Sequence, residues 1–250
     1  MPTFSSDGVE LAYLDEGAGD VVLLIHGFGS TKEINWVNTG WVKLLLGAGR
    51  RVIAFDHRGH GASEKLYDPE LYHTELMADD AARLLDHLGV QQADVIGYSM
   101  GARVGAHLAL LHPERVRSLV MGGLGIHLVE GAGLPQSIAD ALEAPSLDDV
   151  TDPMGRMFRA FGDANKADLK ALAACIRGSR QMLSEAEVRR IFQPVLVAVG
   201  TRDAVAGDAH RLAALLPDGE ALDIPGRDHN PAVGDKVFKQ GVLDFFARRP

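Results

Sequence analysis

The hydrophobic residues of this chain follow two patterns that alternate several times along its length. Short unbroken apolar runs, such as Val21–Ile25, are typical of parallel strands that are buried on both faces. Stretches with apolar residues three or four positions apart predict helices with one buried side. The runs that predict strands lie at 21–25, 51–55, 94–98, 116–121, 194–199 and 220–224.

The segments between these runs predict one hairpin and a series of helices. Asp7-Gly8 stands between two short β-prone segments within residues 3–14, which is a β-hairpin signal. Strands that alternate with helices over short loops form mostly parallel sheets with right-handed crossovers. The predicted helices lie at 36–46, 69–88, 100–112, 209–216 and 233–248.

The alternation stops between about Leu124 and Gln193, where several prolines and helical patches occur without a convincing strand. We predict that residues 124–193 form a helical cap, inserted after the sixth strand into a core made of 1–123 and 194–250. Within the cap, helices are expected at 168–177 and 184–192. A further short helix carries an apolar cluster that fits the buried core of the cap, namely Met154, Met157, Phe158 and Phe161.

The composition limits the kinds of molecule that this protein is expected to bind. The chain has 250 residues, a net charge of −9 and a pI near 5.5, with 46% hydrophobic and 24% charged residues. An acidic chain is unsuited to bind nucleic acid or an anionic membrane surface, because both require a basic face. These values favour a soluble, folded protein and leave small-molecule substrates open.

The cysteine and histidine content bears on the cellular compartment and on metal binding. The one cysteine, Cys175, cannot form an internal disulfide, which fits a reducing compartment. The N-terminus shows no signal-peptide pattern and the apolar runs are shorter than a membrane span, so we expect a cytoplasmic protein. The ten histidines show no metal-ligating spacing. We therefore predict neither a metal nor a cofactor.

The strongest chemical signal is the segment Gly97-Tyr98-Ser99-Met100-Gly101, which follows an apolar run and leads into a helical pattern. In a strand–turn–helix of this kind, the glycines allow a tight bend and close packing, and the serine hydroxyl projects from the apex. This arrangement makes Ser99 a candidate nucleophile.

Two further side chains follow predicted strands, Asp203 after 194–199 and His229 after 220–224. A serine hydroxyl needs an imidazole to accept its proton and a carboxylate to orient that imidazole. The carboxyl ends of parallel strands share one edge of the sheet, so the three side chains can meet there. Asp208 and, less favourably, Glu130 are alternatives to Asp203.

The same edge offers an oxyanion hole and a pocket. The backbone N–H of Met100 follows the nucleophile, and that of Phe28, in the His26–Gly29 loop, can face it. We expect His26 and the loop at 56–61 to shape the strand ends through hydrogen bonds. Candidate pocket residues, besides Phe28 and Met100, are Trp36, His127, Met154, Met157 and Phe158.

Together these segments resemble the α/β-hydrolase family over nearly the whole chain. The matching motifs are His-Gly-Phe-Gly at 26–29, Asp-His-Arg-Gly-His-Gly at 56–61, Gly-Tyr-Ser-Met-Gly at 97–101, His-Pro-Glu-Arg-Val at 112–116, Gly-x-x-Asp at 200–203 and Asp-His at 228–229. The resemblance implies an eight-stranded, mostly parallel sheet flanked by helices, with a cap after the sixth strand. The motifs look most like those of small-lidded esterases, cofactor-free haloperoxidases and carbon–carbon bond hydrolases. Related dehalogenases carry an aspartate where this chain has Ser99.

Three functional hypotheses follow. The first is a hydrolase that cleaves a small-molecule carboxylic ester through an acyl-Ser99 intermediate. The second uses the same triad on a carbon–carbon bond or a lactone; such substrates carry carboxylates, which Arg58, Arg103 or Arg156 could bind. The third, a ligand-binding protein without catalysis, would not need a complete triad with its oxyanion loop.

Overall fold

The computed structural model describes residues 1–131 and 137–248. One sheet of eight strands has the spatial order β1-β2-β4-β3-β5-β6-β7-β8. The pairs β1/β2 and β2/β4 are antiparallel and all other neighbours are parallel, which confirms the predicted fold class. The strands are β1 Thr3–Ser6, β2 Val9–Glu16, β3 Val21–Ile25, β4 Arg51–Phe55, β5 Ala93–Tyr98, β6 Val116–Gly122, β7 Val195–Gly200 and β8 Gly219–Ile224.

Helices cover both faces of this sheet. In chain order they are α1 Trp41–Gly47, α2 Thr74–His87, α3 Met100–Leu111, α4 His127–Glu130, α5 Ser137–Glu143, α6 Pro153–Ala164, α7 Leu169–Gly178, α8 Glu185–Val188, α9 Ala209–Ala213, α10 His229–Ala232 and α11 Lys236–Arg248. A π-helical turn at Glu33–Val37 and 3₁₀ turns at Pro69–Tyr72, Pro113–Arg115 and Leu147–Asp149 complete the set.

The sheet separates two hydrophobic cores, and alternate residues of each strand enter one or the other. Leu23 and Ile25 of β3 face the core that α2, α3 and α7 cover, whereas Val22 and Leu24 face the core under α1 and α11. Every residue of β3, β5 and β7 is buried. Burial on both faces explains why these strands read as unbroken apolar runs.

Several predicted helices have different limits in the structure. The helix expected at 36–46 is divided, because Gly40 has a left-handed φ of 81° before α1 begins. The helix expected at 184–192 begins with a capping box between Ser184 and Glu187, but it ends at Val188. The helix expected at 233–248 begins later, at Lys236 of α11, and the short helix α10 before it was not predicted.

Between β6 and β7 the described residues form helices α4 to α8 and no strand. Helices α6 and α7 approach the loop after β3, where a Cβ placed on Gly29 would lie within 4 Å of Phe161 and Leu172. Pro135 and the other residues of 132–136 lie outside the described part. The division into a core and a cap at 124–193 stays a prediction.

A search of the described residues finds no helix with the length and apolarity needed to cross a bilayer.

Candidate active site

Ser99 lies at a sharp turn between β5 and α3. Its φ of 56° and ψ of −114° are unusual for a residue with a side chain. Close packing surrounds the turn, since a Cβ on Gly101 would lie 2.0 Å from the carbonyl oxygen of Ile25. The strained conformation is held by the neighbouring backbone, including the bond from the Ser99 amide to the Gly122 carbonyl oxygen, 2.8 Å.

His229, the first residue of α10, lies between Ser99 and Asp203. Its Nε2 is 3.0 Å from Ser99 Oγ, and its Nδ1 is 2.8 Å from Asp203 Oδ2. An ionised carboxylate only accepts hydrogen bonds, so Nδ1 carries the proton and Nε2 is free to accept one from the serine. Tyr98 Oη donates to the His229 carbonyl oxygen and so helps to fix the position of the imidazole.

Asp203 follows β7 and has a fully buried side chain. Its second oxygen, Oδ1, accepts hydrogen bonds from the backbone amides of Val205, 2.9 Å, and Ala206, 3.1 Å. The alternative acids lie elsewhere. Asp208 caps α9 by accepting from the Arg211 amide, and Glu130 pairs with the Arg211 guanidinium at the surface. Of the three candidates, Asp203 is the one whose side chain contacts the imidazole.

The backbone amides of Phe28 and Met100 flank the turn. Within the described residues, neither N–H donates to another protein group. The loop that carries Phe28 is held on both sides of that residue. The Gly27 amide donates to Asn35 Oδ1, 2.8 Å, and the Gly29 amide to His60 Nε2, 3.1 Å. The two unused amides are therefore available to a developing oxyanion.

Three buried histidines support this loop. His26 Nε2 accepts from the His57 amide, 3.0 Å, and His60 Nδ1 donates to the Arg58 carbonyl oxygen, 3.0 Å. Burial lowers the pKa of His60 to about 3 and that of His57 well below its ordinary value. The rings are thus neutral, and they shape the strand ends. Beside them Lys32, 1% exposed, pairs with Asp56 at 2.6 Å.

Two cavities meet at Ser99 and Phe28. We call the first the arginine cavity; its lining includes Met100, Arg103, Leu124, Ile176, Ser179 and Arg180. We call the second the apolar cavity; its lining includes Ile34, Tyr98, Met157, Phe158, Phe161 and Val233, together with His229. The site can therefore accept a substrate with a part on each side of the serine.

The predicted pocket residues differ in where the structure places them. Met157 and Phe158 line the apolar cavity, and Phe158 also packs against the hydrophobic core, so the apolar face of α6 contributes to both. Trp36 lies outside both cavities, because it is fully buried against Trp41 beneath the sheet. Met154 packs against the core, and His127 bonds through Nδ1 to the Val205 carbonyl oxygen; neither lines either cavity.

Of the three arginines considered as carboxylate ligands, only Arg103 lines a cavity beside Ser99. Arg58 forms a buried ion pair with Asp80, and Arg156 of α6 bonds the carbonyl oxygens of Leu147 and Val150. Sequence reasoning missed Arg180, Tyr98 and Lys32 as parts of the site or its support. The position of Lys32, close to the His26 loop in the sequence, could have indicated its role. The roles of Arg180 and Tyr98 depend on tertiary packing.

The chain is similar to several known proteins. Residues 20–132 match the model of the alpha/beta hydrolase fold family. A 2-hydroxymuconate semialdehyde hydrolase of Pseudomonas sp. (strain CF600) is 38% identical over 137 residues, which are 55% of this chain but only 45% of that protein. The match therefore spans less than half of that relative's length.

Other similarities extend over nearly all of both chains. RutD of Variovorax paradoxus (strain S110), named as a carbamate hydrolase, is 30% identical to this chain over 257 residues. The match covers 92% of each chain. The solved structure of a hydrolase from Pseudomonas aeruginosa PA01 has a TM-score of 0.77 and 28% identity, covering 98% of this chain and 97% of that one.

Proposed function

Because the chain belongs to the α/β hydrolase fold family, we propose that it is a serine hydrolase that cleaves carboxylic esters through an acyl-Ser99 intermediate. The observation that carries this proposal is the pair of contacts made by His229, 3.0 Å to Ser99 Oγ and 2.8 Å to Asp203 Oδ2. This hydrogen-bonded chain of hydroxyl, imidazole and buried carboxylate can generate a nucleophile at neutral pH.

Acylation begins when Ser99 Oγ attacks the ester carbonyl carbon and its proton passes to His229 Nε2. Charge develops on the carbonyl oxygen, where the amides of Phe28 and Met100 are available to stabilise it. The tetrahedral intermediate collapses by breaking the carbon–oxygen bond to the alcohol. That alcohol leaves with the proton from His229, and Asp203 stabilises the imidazolium in the interval.

Deacylation repeats these steps with water. His229 accepts a proton from a water molecule, whose oxygen attacks the acyl carbon. The second intermediate collapses to release the carboxylic acid, and Ser99 Oγ recovers its proton from His229. The net reaction consumes one water and yields one acid and one alcohol. The pair of cavities at Ser99 gives the two halves of the ester separate places to bind.

Hydrolysis of 4-nitrophenyl butanoate by wild type and Ser99→Ala tests the proposal. We expect kcat to fall about 10³-fold or more, because the nucleophile is removed while the fold is kept. Circular dichroism checks the fold, and Ser5→Ala, at an exposed serine of β1, is the matched control. Wild-type rates in Ser99→Ala would refute the assignment of Ser99 as the nucleophile.

A second candidate function is hydrolysis of a carbon–carbon bond or a lactone by the same residues. The similarity to a semialdehyde hydrolase favours it, as does the presence of Arg103 in a cavity beside Ser99. A substrate panel of simple esters, one dienoate ketone and one lactone separates the candidates. Turnover of the dienoate without turnover of simple esters would favour the second.

The proposal also covers the size of the substrate, resident metals or cofactors, and the location of the protein in the cell. We propose a small-molecule substrate and no resident metal or cofactor, since the steps above use only side chains, backbone amides and water. A cytoplasmic location fits the single cysteine, Cys175, which is buried in α7.

A further inference from the structure

The mechanism proposed above assigns each cavity to one half of the substrate. His229 must give its proton to the departing alcohol, so the alcohol has to lie on the side of Ser99 that His229 occupies. Of the two cavities, the apolar one is lined by His229 and the arginine cavity is not. The alcohol therefore belongs in the apolar cavity, and the acyl chain extends into the arginine cavity.

Arg103 gives the acyl side an unbalanced positive charge. Its guanidinium is partly buried and donates to two backbone carbonyl oxygens, of Gln181 at 2.8 Å and His127 at 3.4 Å. Within residues 1–131 and 137–248, no carboxylate lies within 4.0 Å of it. The buried guanidinium of Arg58, by contrast, pairs with Asp80 at 2.7 Å. A guanidinium held in this way against an open cavity can accept an anionic ligand.

A second arginine adds to the charge. Arg180, on the exposed rim of the arginine cavity, also has no carboxylate within that distance in the described part of the chain. Burial, with a contribution from Arg180, lowers the pKa of Arg103 to about 10, so its guanidinium stays charged at neutral pH. The guanidinium groups of Arg103 and Arg180 repel each other, and no carboxylate of the described residues pairs with either. A bound anion would stabilise this arrangement.

We propose that the preferred substrate carries a carboxylate on its acyl half, bound by Arg103 and Arg180, and an apolar alcohol. The substrate is thus a half-ester of a short dicarboxylic acid. Arg103 lies one helical turn beyond Ser99, since its amide bonds the Ser99 carbonyl oxygen at 3.2 Å. Both side chains line the arginine cavity, which suits a chain of a few carbons between the two carboxyl groups. This inference rests on the proposed ester hydrolysis.

Three esters that differ in the presence and position of one carboxylate test it. They are 4-nitrophenyl hydrogen glutarate, with the charge on the acyl half; 4-nitrophenyl pentanoate, without charge; and 3-carboxy-4-nitrophenyl pentanoate, with the charge on the alcohol. After subtraction of the enzyme-free rate, we expect kcat/KM for the glutarate to exceed that for either pentanoate about tenfold or more. A preference for the alcohol-side carboxylate, or no preference, would overturn the proposal.

Variants assign the preference to Arg103. In Arg103→Met, the ratio of kcat/KM for the glutarate ester to kcat/KM for the uncharged pentanoate ester should fall about tenfold or more. The matched control is Arg156→Met, because Arg156 lies on the cap outside both cavities and its side chain is 44% exposed. A fall of the same size in the control, or an unchanged ratio in Arg103→Met, would contradict the role of Arg103.

Binding separates this inference from the proposed function. Calorimetry on wild type compares glutarate with pentanoate and needs no turnover; glutarate should bind about tenfold more tightly or better. Glutarate preference in a protein that hydrolyses none of the esters would refute ester hydrolysis and support the anion site. Hydrolysis of the uncharged ester without any glutarate preference would refute the anion site and leave ester hydrolysis standing. If Arg103→Met does not fold, Arg180→Met is used in the same comparison.

Discussion

At the scale of single residues, the carboxylate of Asp203 illustrates how the chain prepares a charged group inside the protein. The side chain is fully buried, yet each oxygen has partners, His229 on one side and two backbone amides on the other. A buried carboxylate with satisfied hydrogen bonds can stay ionised. It then holds the imidazole in the tautomer that leaves Nε2 free for Ser99.

Replacement of Asp203 by Asn should lower kcat for ester hydrolysis by about 10⁴-fold, because an amide no longer favours a proton on Nδ1 of His229. Asp208→Asn is the matched control, since Asn caps a helix about as well as Asp does and the Asp208 side chain contacts the α9 amide rather than the imidazole. Steady-state rates of the two variants decide between them. Equal losses, or a larger loss in Asp208→Asn, would show that Asp203 is not the orienting acid.

At the scale of elements, the loops after β3 and β4 are joined by neutral histidines. His60, His57 and His26 are buried, and Nε2 of His60 and of His26 each accepts a hydrogen bond from a backbone amide, which requires an uncharged ring. Because the folded-state pKa values are depressed, the unfolded chain binds more protons below its ordinary histidine pKa of 6.5. Stability is thus fully present above that pH and falls as the pH drops towards the folded-state pKa, about 3 for His60.

This cluster predicts a pH dependence that can be traced to one ring. Each extra proton bound by the unfolded state contributes a slope of about 1.4 kcal/mol per pH unit to the free energy of unfolding. In His60→Gln, the slope between about pH 6 and pH 5 should be lower by about 1 kcal/mol per pH unit. Urea titrations at a series of pH values measure it.

The control for this prediction is His210→Gln. The His210 side chain is 66% exposed, contacts Asp223 and lies outside the cluster, so its loss should change the slope less than the loss of His60 does. A slope in His60→Gln equal to that of wild type would mean that His60 does not stay neutral in the folded protein.

Elements also show which features local sequence could predict. Strand β3 was predictable because burial on both faces leaves a direct mark, five apolar residues in a row. The position of Ser99 followed from the strand–turn–helix around it. Trp36 was assigned to the pocket incorrectly, because an apolar residue near the site can equally enter the core beneath the sheet. The side of Ser99 on which Arg103 lies depends on packing between distant segments and has no local signal.

At the scale of the whole molecule, the apolar cavity is built by segments far apart in the chain. Phe28 comes from the loop after β3, Val233 from the segment after α10, and Phe158 from α6, between β6 and β7. The ring centroids of Phe28 and Phe158 are 5.7 Å apart. Helix α6 thus completes the cavity in which we propose that the alcohol binds.

Phe158→Ala should therefore change selectivity for the alcohol. We expect the ratio of kcat/KM for 2-naphthyl butanoate to that for methyl butanoate to fall about tenfold, because a large apolar alcohol loses a contact that methanol does not make. Phe192→Ala is the control, at a phenylalanine that is 73% exposed and lines neither cavity. An unchanged ratio in Phe158→Ala would place the alcohol elsewhere.

We propose that Ser99, within this assembly of loops and helices, is an activated nucleophile. A fluorophosphonate probe followed by peptide mass spectrometry tests it directly, because such probes form a covalent bond with an activated serine. We expect one adduct per chain, located on Ser99, in folded wild type and none in Ser99→Ala or in urea-unfolded protein. No adduct in folded wild type, or an adduct that persists in Ser99→Ala, would contradict it.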